Sequence, residues 1–231
     1  MPEIRVESVS HSFGDGSTRR QVLRDVSVRL AEPRIGIIGA NGSGKSTFVR
    51  LLNGLVQPDS GTVTIDGRDT VRDGPEVRRR VGFCFTDPDA QIVMPTVAED
   101  IAFGLRRRGL SRAERDERTR RALTAYGLEG HADHPAHLLS GGQKQLLALA
   151  SVLVTEPDLL VLDEPTTLLD LRNAAMVRRL VDDLPQQVVL VTHHLDLLDG
   201  FDRVLVFDDG RIANDGKPTE AVAAYRELAM R

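Results

Sequence analysis

The chain has 231 residues, 41% of them hydrophobic, enough to bury a substantial core in one large or two small domains. Its formal net charge of −4 excludes a chain-wide basic footprint for nucleic acid, and its one cysteine, Cys84, excludes a disulfide framework or a cysteine-based metal cluster. The N-terminal Met-Pro-Glu-Ile-Arg lacks the pattern of a signal peptide, and the apolar run Leu146 to Val154 is too short to span a bilayer, so action at a membrane is expected to pass through a partner.

Ile4 to Val9 and Val22 to Leu30 read as strands flanking the polar turn Gly14 to Thr18. Arg34-Ile-Gly-Ile-Ile38 reads as a short buried strand, and Thr47 to Leu52 as the opening of a helix. Between them, Gly39-Ala40-Asn41-Gly42-Ser43-Gly44-Lys45-Ser46-Thr47 matches the phosphate-loop pattern G-x-x-x-x-G-K-[ST] in the strand–loop–helix context that pattern requires. Small residues let successive N–H groups turn inward around a polyanion, and the helix start adds its positive end. Lys45 is expected to reach the β- and γ-phosphates and the Ser46 hydroxyl to ligate Mg²⁺.

Gln57 to Gly61 is a turn before the alternating strand Thr62 to Asp66 and a further turn at Gly67. Asp73 to Arg80 is a short polar segment ending a helix, and Val81 to Phe85 is another core strand. From Pro88 to about Ala150 the character changes: Val97 to Leu105 and Arg112 to Tyr126 carry helical spacing. A helical subdomain over 88–150, inserted into an α/β core of 1–87 and 151–231, is therefore expected. Strands return at Leu159 to Asp163, Val188 to Thr192 and Arg203 to Phe207, followed by a hairpin-like turn at Asp208 to Arg211 and a helical tail from Glu220 to Arg231.

Leu160-Val-Leu-Asp163-Glu164-Pro165 is a buried strand ending in two carboxylates, which places both at the carboxyl edge of a sheet beside the phosphate crevice. Asp163 is expected to hold the Mg²⁺ shell, and Glu164 to polarise an attacking water. Leu139-Ser140-Gly141-Gly142-Gln143 precedes an apolar helix and is open to two readings, a plain N-cap or a second anion-binding helix end. If it binds anions, it either meets the first loop within one chain or completes the site of a neighbouring copy.

In this order, the motifs resemble those of ATP-binding cassette (ABC) ATPases along essentially the whole chain. Gly39 to Thr47 is similar to the family's Walker A segment, Leu160 to Glu164 to Walker B and Leu139 to Gln143 to the signature sequence. Leu169-Asp170 is similar to the D-loop, and His193 to the switch histidine. The resemblance implies an ABC-type P-loop fold: a mixed sheet core, an N-terminal antiparallel β-subdomain and an inserted helical signature subdomain. It also implies head-to-tail pairing, in which Ser140 and Gly142 contact the γ-phosphate held by Lys45 of the partner cassette while His193 contacts it from its own side. Asn41 to Thr47, Ser140 to Gln143 and Asp170 would line the ATP site. His193 could otherwise be only a turn residue. Phe13 stands where the family stacks an aromatic on adenine, although a core-packing role is open to it.

Some positions depart from the family's pattern. Thr86 stands where a Q-loop glutamine is usual; its hydroxyl could contact Mg²⁺ or water or be a turn hydroxyl only, and Gln91 is too displaced to be taken as a substitute. Leu168 replaces a common glycine, His194 a more usual acid, and Leu146 a frequent arginine. Phe85 to Ile92 and Pro95 to Gly104 are similar to energy-coupling-factor vitamin and metal importers, and Phe83 to Pro88 resembles the ATPase subunit of the biotin importer. The resemblance implies a peripheral protein at the cytoplasmic face of the membrane, paired with a second ATPase subunit as a homodimer. A transmembrane coupling subunit would seat near Ile92 to Phe103, with Glu99 and Arg106 to Arg108 at the rim. A separate membrane protein would capture the substrate. The arginines could equally be a solvated helix end. A cobalt or nickel importer, a conventional ABC transporter and a soluble ABC protein on nucleic acid or ribosomes are the alternatives.

Overall fold

The computed structural model describes residues 1–106, 108–167 and 169–230. Arg107 of the arginine run, Leu168 of the segment after Glu164 and the terminal Arg231 lie outside the described residues.

Strands β1 (Ile4–Phe13), β2 (Arg20–Leu30) and β3 (Arg34–Gly39) precede helix α1 (Lys45–Leu51). Strands β4 (Ser60–Ile65) and β5 (Arg68–Asp69), helix α2 (Gly74–Arg80) and strand β6 (Val81–Cys84) follow. Helices α3 (Val97–Gly104), α4 (Arg112–Ala125) and α5 (Gly141–Leu153) come next. The chain ends with β7 (Leu159–Asp163), α6 (Leu171–Asp183), β8 (Gln187–Val191), β9 (Arg203–Asp208), β10 (Arg211–Gly216) and α7 (Pro218–Ala229). The architecture is the expected mixed α/β one, with an N-terminal antiparallel sheet and an inserted helical part. The chain forms two compact units: Met1–Val81 with Asp158–Asp163 and Pro185–Arg231, and Gly82–Pro157 with Glu164–Leu184.

In the first unit, β2-β1-β4-β5 form an antiparallel sheet. The alternation that marks β1 in the sequence breaks at Val9, yet the strand continues to Phe13. Ser8 adopts a left-handed φ of 48° and the register with β2 shifts between Val6 and Val9, so a bulge interrupts the period without ending the pairing. The strand expected to run to Asp66 stops at Ile65, because Asp66 (φ 48°) and Gly67 (φ 75°) form the two-residue turn into β5.

The same unit holds the strand order β10-β9-β3-β8-β7, with β9, β3, β8 and β7 mutually parallel and β10 antiparallel at the edge. Every residue of β7 and β8 is buried, as strands covered on both faces require. Asp209 (φ 41°) and Gly210 (φ 77°) make the expected tight turn after β9. The Arg203 guanidinium ties this hairpin together, donating to both carboxylate oxygens of Asp215 at 2.6 Å and to Glu32 at 2.9 Å. The bond to Asp215 holds the guanidinium above its ordinary pKa against the opposing effect of burial.

The helical unit has its own core, with Val97 and Ile101 of α3 and Leu105 just past its end packed among Leu123, Leu139, Leu147 and Ala150. Capping boxes start α3 (Thr96 and Glu99), α4 (Ser111 and Glu114) and α5 (Ser140 and Gln143). Asp100 is buried in α3, where one carboxylate oxygen accepts from the Val93 and Met94 N–H groups at 2.9 and 3.0 Å and the other from the Ser151 hydroxyl at 2.8 Å. Removing a buried acceptor strands its donors. Asp100→Ala should therefore lower stability by about 3 kcal/mol, read as a fall in thermal midpoint. An unchanged midpoint would contradict this bracing role.

Candidate functional site

Parallel strands deliver their carboxyl ends to one edge of a sheet, and ligands bind there. In the first unit β3, β8 and β7 are neighbours in that order, with Ile37 paired to Val191 and Val191 to Asp163. Gly39, Asp163 and the start of the His193 turn consequently emerge at one edge.

The loop after β3 depends on three glycines with positive φ: Gly39 at 151°, Gly42 at 79° and Gly44 at 105°. A Cβ on Gly39 would lie 2.2 Å from the Phe207 carbonyl oxygen, and one on Gly44 2.8 Å from that of Val22. The loop is thereby pressed against the backbone of β9 and β2, and only hydrogens fit. Gly44 gives α1 no side-chain cap, which leaves first-turn N–H groups for a ligand. Lys45 is 4% exposed, and its Nζ donates to the carbonyls of Gly39 at 2.8 Å and Ala40 at 2.9 Å, holding the ammonium over the loop. The Ser43 hydroxyl is buried with no hydrogen-bond partner among the described residues, whereas Asn41 is exposed. A cradle of N–H groups, a held ammonium and an orphaned hydroxyl fit a phosphate chain.

The Ser46 hydroxyl donates to Asp163 Oδ1 at 2.9 Å. Asp163 is fully buried, and Arg50 Nη2 stands 3.4 Å from its other oxygen. Hydroxyl and carboxylate are hard oxygen donors and suit Mg²⁺. Arg50 had no motif to announce it; only the spacing of one helical turn from Ser46 places it here. Thr47 is buried, and Phe48 packs on Phe207 with ring centroids 5.0 Å apart, fixing α1 on the sheet. Phe13 is 48% exposed and meets His11 edge-on, with centroids 4.6 Å apart, so its ring lies outside the core. His193 is exposed just past β8, and the next N–H, that of His194, donates to the Thr192 hydroxyl at 3.0 Å.

The second unit holds the remaining predicted residues. Glu164 has φ 55°, a conformation rare for a side chain of its kind, and accepts from the Thr167 hydroxyl at 2.9 Å. Ser140 caps α5: its hydroxyl accepts from Gln143 N–H at 3.4 Å while Gln143 Oε1 accepts from Ser140 N–H at 2.9 Å. Gly141 has open space at its Cβ position, whereas a Cβ on Gly142 would fall 2.4 Å from the Asn173 side-chain nitrogen. Asp170 caps α6, accepting from Asn173 N–H at 2.8 Å. Thr86 is partly buried in the turn after β6. Gln91 accepts from Phe85 N–H at 3.1 Å and donates to the Ala148 carbonyl at 3.0 Å, so its amide braces the backbone beside Thr86.

Among the described residues no helix is long and apolar enough to cross a membrane. Residues 23–167 match the family model described as ABC transporter. The chain is 50% identical over 226 residues to the biotin transport ATP-binding protein BioM of Rhizobium etli, covering 98% of this chain and 99% of that protein. It is 43% identical over 244 aligned residues to the energy-coupling factor transporter ATP-binding protein EcfA1 of Symbiobacterium thermophilum, covering 100% and 85%. The dimeric structure of a bacterial ABC transporter cassette matches with a TM-score of 0.82 and 28% identity, over 93% of this chain and 98% of that one. With a phosphate cradle and hard oxygen donors at the sheet edge, the chain belongs to the ABC transporter family as an ATP-binding, ATP-hydrolysing subunit homologous to energy-coupling-factor and biotin-transport ATPases.

Proposed function

We propose that two copies of this chain pair head to tail, bind two ATP·Mg²⁺ and power biotin import through a transmembrane coupling subunit, with a separate membrane protein capturing the vitamin. The chain then works at the cytoplasmic face of the membrane. The cargo reading is carried by the 50% identity to BioM along essentially the whole length of both proteins. The pairing is supported by the dimeric cassette that shares the fold.

In this reading the loop Asn41 to Thr47 binds the phosphates, with Lys45 on the terminal ones. Ser46 and Asp163 would hold Mg²⁺, with the Thr86 hydroxyl as a further contact to metal or water. Bound Mg²⁺ supplies neutralisation of charge on the β- and γ-phosphate oxygens. Glu164 takes the proton of the attacking water, and His193 donates to the γ-phosphate from its own side. Ser140, Gly141, Gly142 and Gln143 of one copy, with Asp170 beside them in the pair, close over the nucleotide of the other. The helical segment 88–150 carries this closure to the membrane subunit, and the core 1–87 and 151–231 holds the nucleotide.

Phe13 stacks on the adenine. Since base–aromatic stacking contributes about 1–3 kcal/mol, Phe13→Ala should weaken ATP binding about tenfold with little change in turnover at saturation. Calorimetric titration with a non-hydrolysable analogue reads the affinity directly, and equal affinity for variant and parent would remove Phe13 from the site. The cargo is tested by reconstituting the chain with the membrane proteins encoded beside it and measuring ATP-dependent uptake of labelled biotin. Uptake of cobalt or nickel instead would replace the vitamin reading while leaving the ATPase untouched.

A further inference from the structure

The segment leading to the signature sequence carries three histidines at three-residue spacing, His131, His134 and His137. His131 is joined to the signature itself, and His134 to His131. His131 Nδ1 and His134 Nδ1 lie 2.7 Å apart, and His131 Nε2 lies 2.9 Å from Gln143 Nε2. The tautomers follow by elimination. Gln143 Oε1 accepts from Ser140 N–H at 2.9 Å, which fixes the amide and makes its nitrogen the donor towards His131. His131 Nε2 is then an acceptor, its proton sits on Nδ1, and that proton is donated to His134 Nδ1. One neutral arrangement satisfies every contact. A second proton on His131 Nε2 would face the Gln143 NH₂ group, donor against donor. Turning the amide to relieve this would break its bond to Ser140 N–H.

We infer that His131 is a positioning residue for ATP hydrolysis, whose neutral ring, held by His134, orients the Gln143 amide and through it the Ser140 start of the signature helix. The inference rests on the reading of Ser140 to Gln143 as the segment that closes over the nucleotide. Protonation of the pair loosens that segment, so turnover depends on the charge state of the pair. Among the described residues no side chain compensates such a charge. Glu129, Asp133 and His137 on the same segment are exposed, Lys144 on α5 is held by Asp89 at 2.7 Å, and Glu99 at the start of α3 is engaged with Thr96. Among the described residues no carboxylate is within ion-pairing distance of either ring.

The test uses the assembled transporter, with ATPase rate measured between about pH 5.5 and about pH 8, the span over which imidazole takes its second proton. His131→Leu removes the acceptor and should lower kcat/KM about fivefold at the upper end, the worth of one neutral hydrogen bond. His131→Gln keeps an acceptor for Gln143 but cannot become cationic; it should hold near-parent activity at the upper end and show a smaller acid-side fall than the parent. An acid-side fall unchanged in His131→Gln, or parental activity in His131→Leu, would overturn the inference. Absence of hydrolysis by the parent at the upper end would instead count against the reading of the nucleotide site.

Discussion

Glu164→Gln should slow ATP turnover by about a hundredfold or more while leaving ATP binding intact, since loss of a positioned general base removes about 10²–10⁴ of the rate. The carboxylate follows directly on Asp163, the fully buried end of β7, and its backbone holds the left-handed φ of 55°. For a residue with a Cβ that conformation costs of order 1 kcal/mol or more, which is maintained only where the surroundings over-determine it. The Thr167 hydroxyl donates to one oxygen at 2.9 Å, which orients the carboxylate. An amide fills the same space and accepts the same bond but cannot take the proton. The variant should therefore accumulate as an ATP-loaded pair, visible by gel filtration in ATP and Mg²⁺, whereas parental turnover by it would remove Glu164 from the chemistry.

Gly39→Ala should abolish nucleotide binding and destabilise the first unit by about 3 kcal/mol or more. Two effects add: φ of 151° disfavours any side chain, and the new Cβ would sit 2.2 Å from the Phe207 carbonyl oxygen and 2.8 Å from Ser43 Oγ. Backbone on β9 cannot yield without breaking its pairing with β3, so the loop must leave its place. Gly42→Ala provides the control. It also has positive φ, at 79°, but its Cβ would meet nothing closer than the end of the Arg20 side chain at 3.9 Å. Thermal midpoints with and without ATP·Mg²⁺ should separate the two, with a large fall and no nucleotide shift for Gly39→Ala and a modest fall with the shift retained for Gly42→Ala. Equal behaviour of the two would show that steric fit at Gly39 is not what shapes the loop.

The parallel strands and the phosphate loop could be read from the sequence because burial on both faces leaves continuous apolar runs, as in Leu159 to Asp163 and Val188 to Val191. Elements held by the edge of a sheet or by a narrow stripe gave no such run. Strand β10, Arg211-Ile-Ala-Asn-Asp-Gly216, alternates between exposed and half-buried positions, so its pairing with β9 shows in the backbone and not in the composition. Helix α6 is not legible in the sequence for a related reason: Val177 and Val181 are its buried residues, while Leu171 at its start is 92% exposed. At the site, Lys45, Ser46, Asp163 and Glu164 stood in recognisable motifs. Arg50 against Asp163, the orphaned Ser43 hydroxyl and His131 against Gln143 depend on contacts that spacing alone does not specify.

The central claim is that each nucleotide is served by both copies. Pairs formed from one Lys45→Ala copy and one Ser140→Arg copy test it, with each defect alone first confirmed to silence the homodimer. If sites cross between copies, the mixed pair keeps one site with an intact loop from one chain and an intact signature from the other, and should recover ATPase activity clearly above either variant alone. Sites contained within single chains would leave every site in the mixed pair damaged. Activity no higher than that of the two silent homodimers would contradict the account.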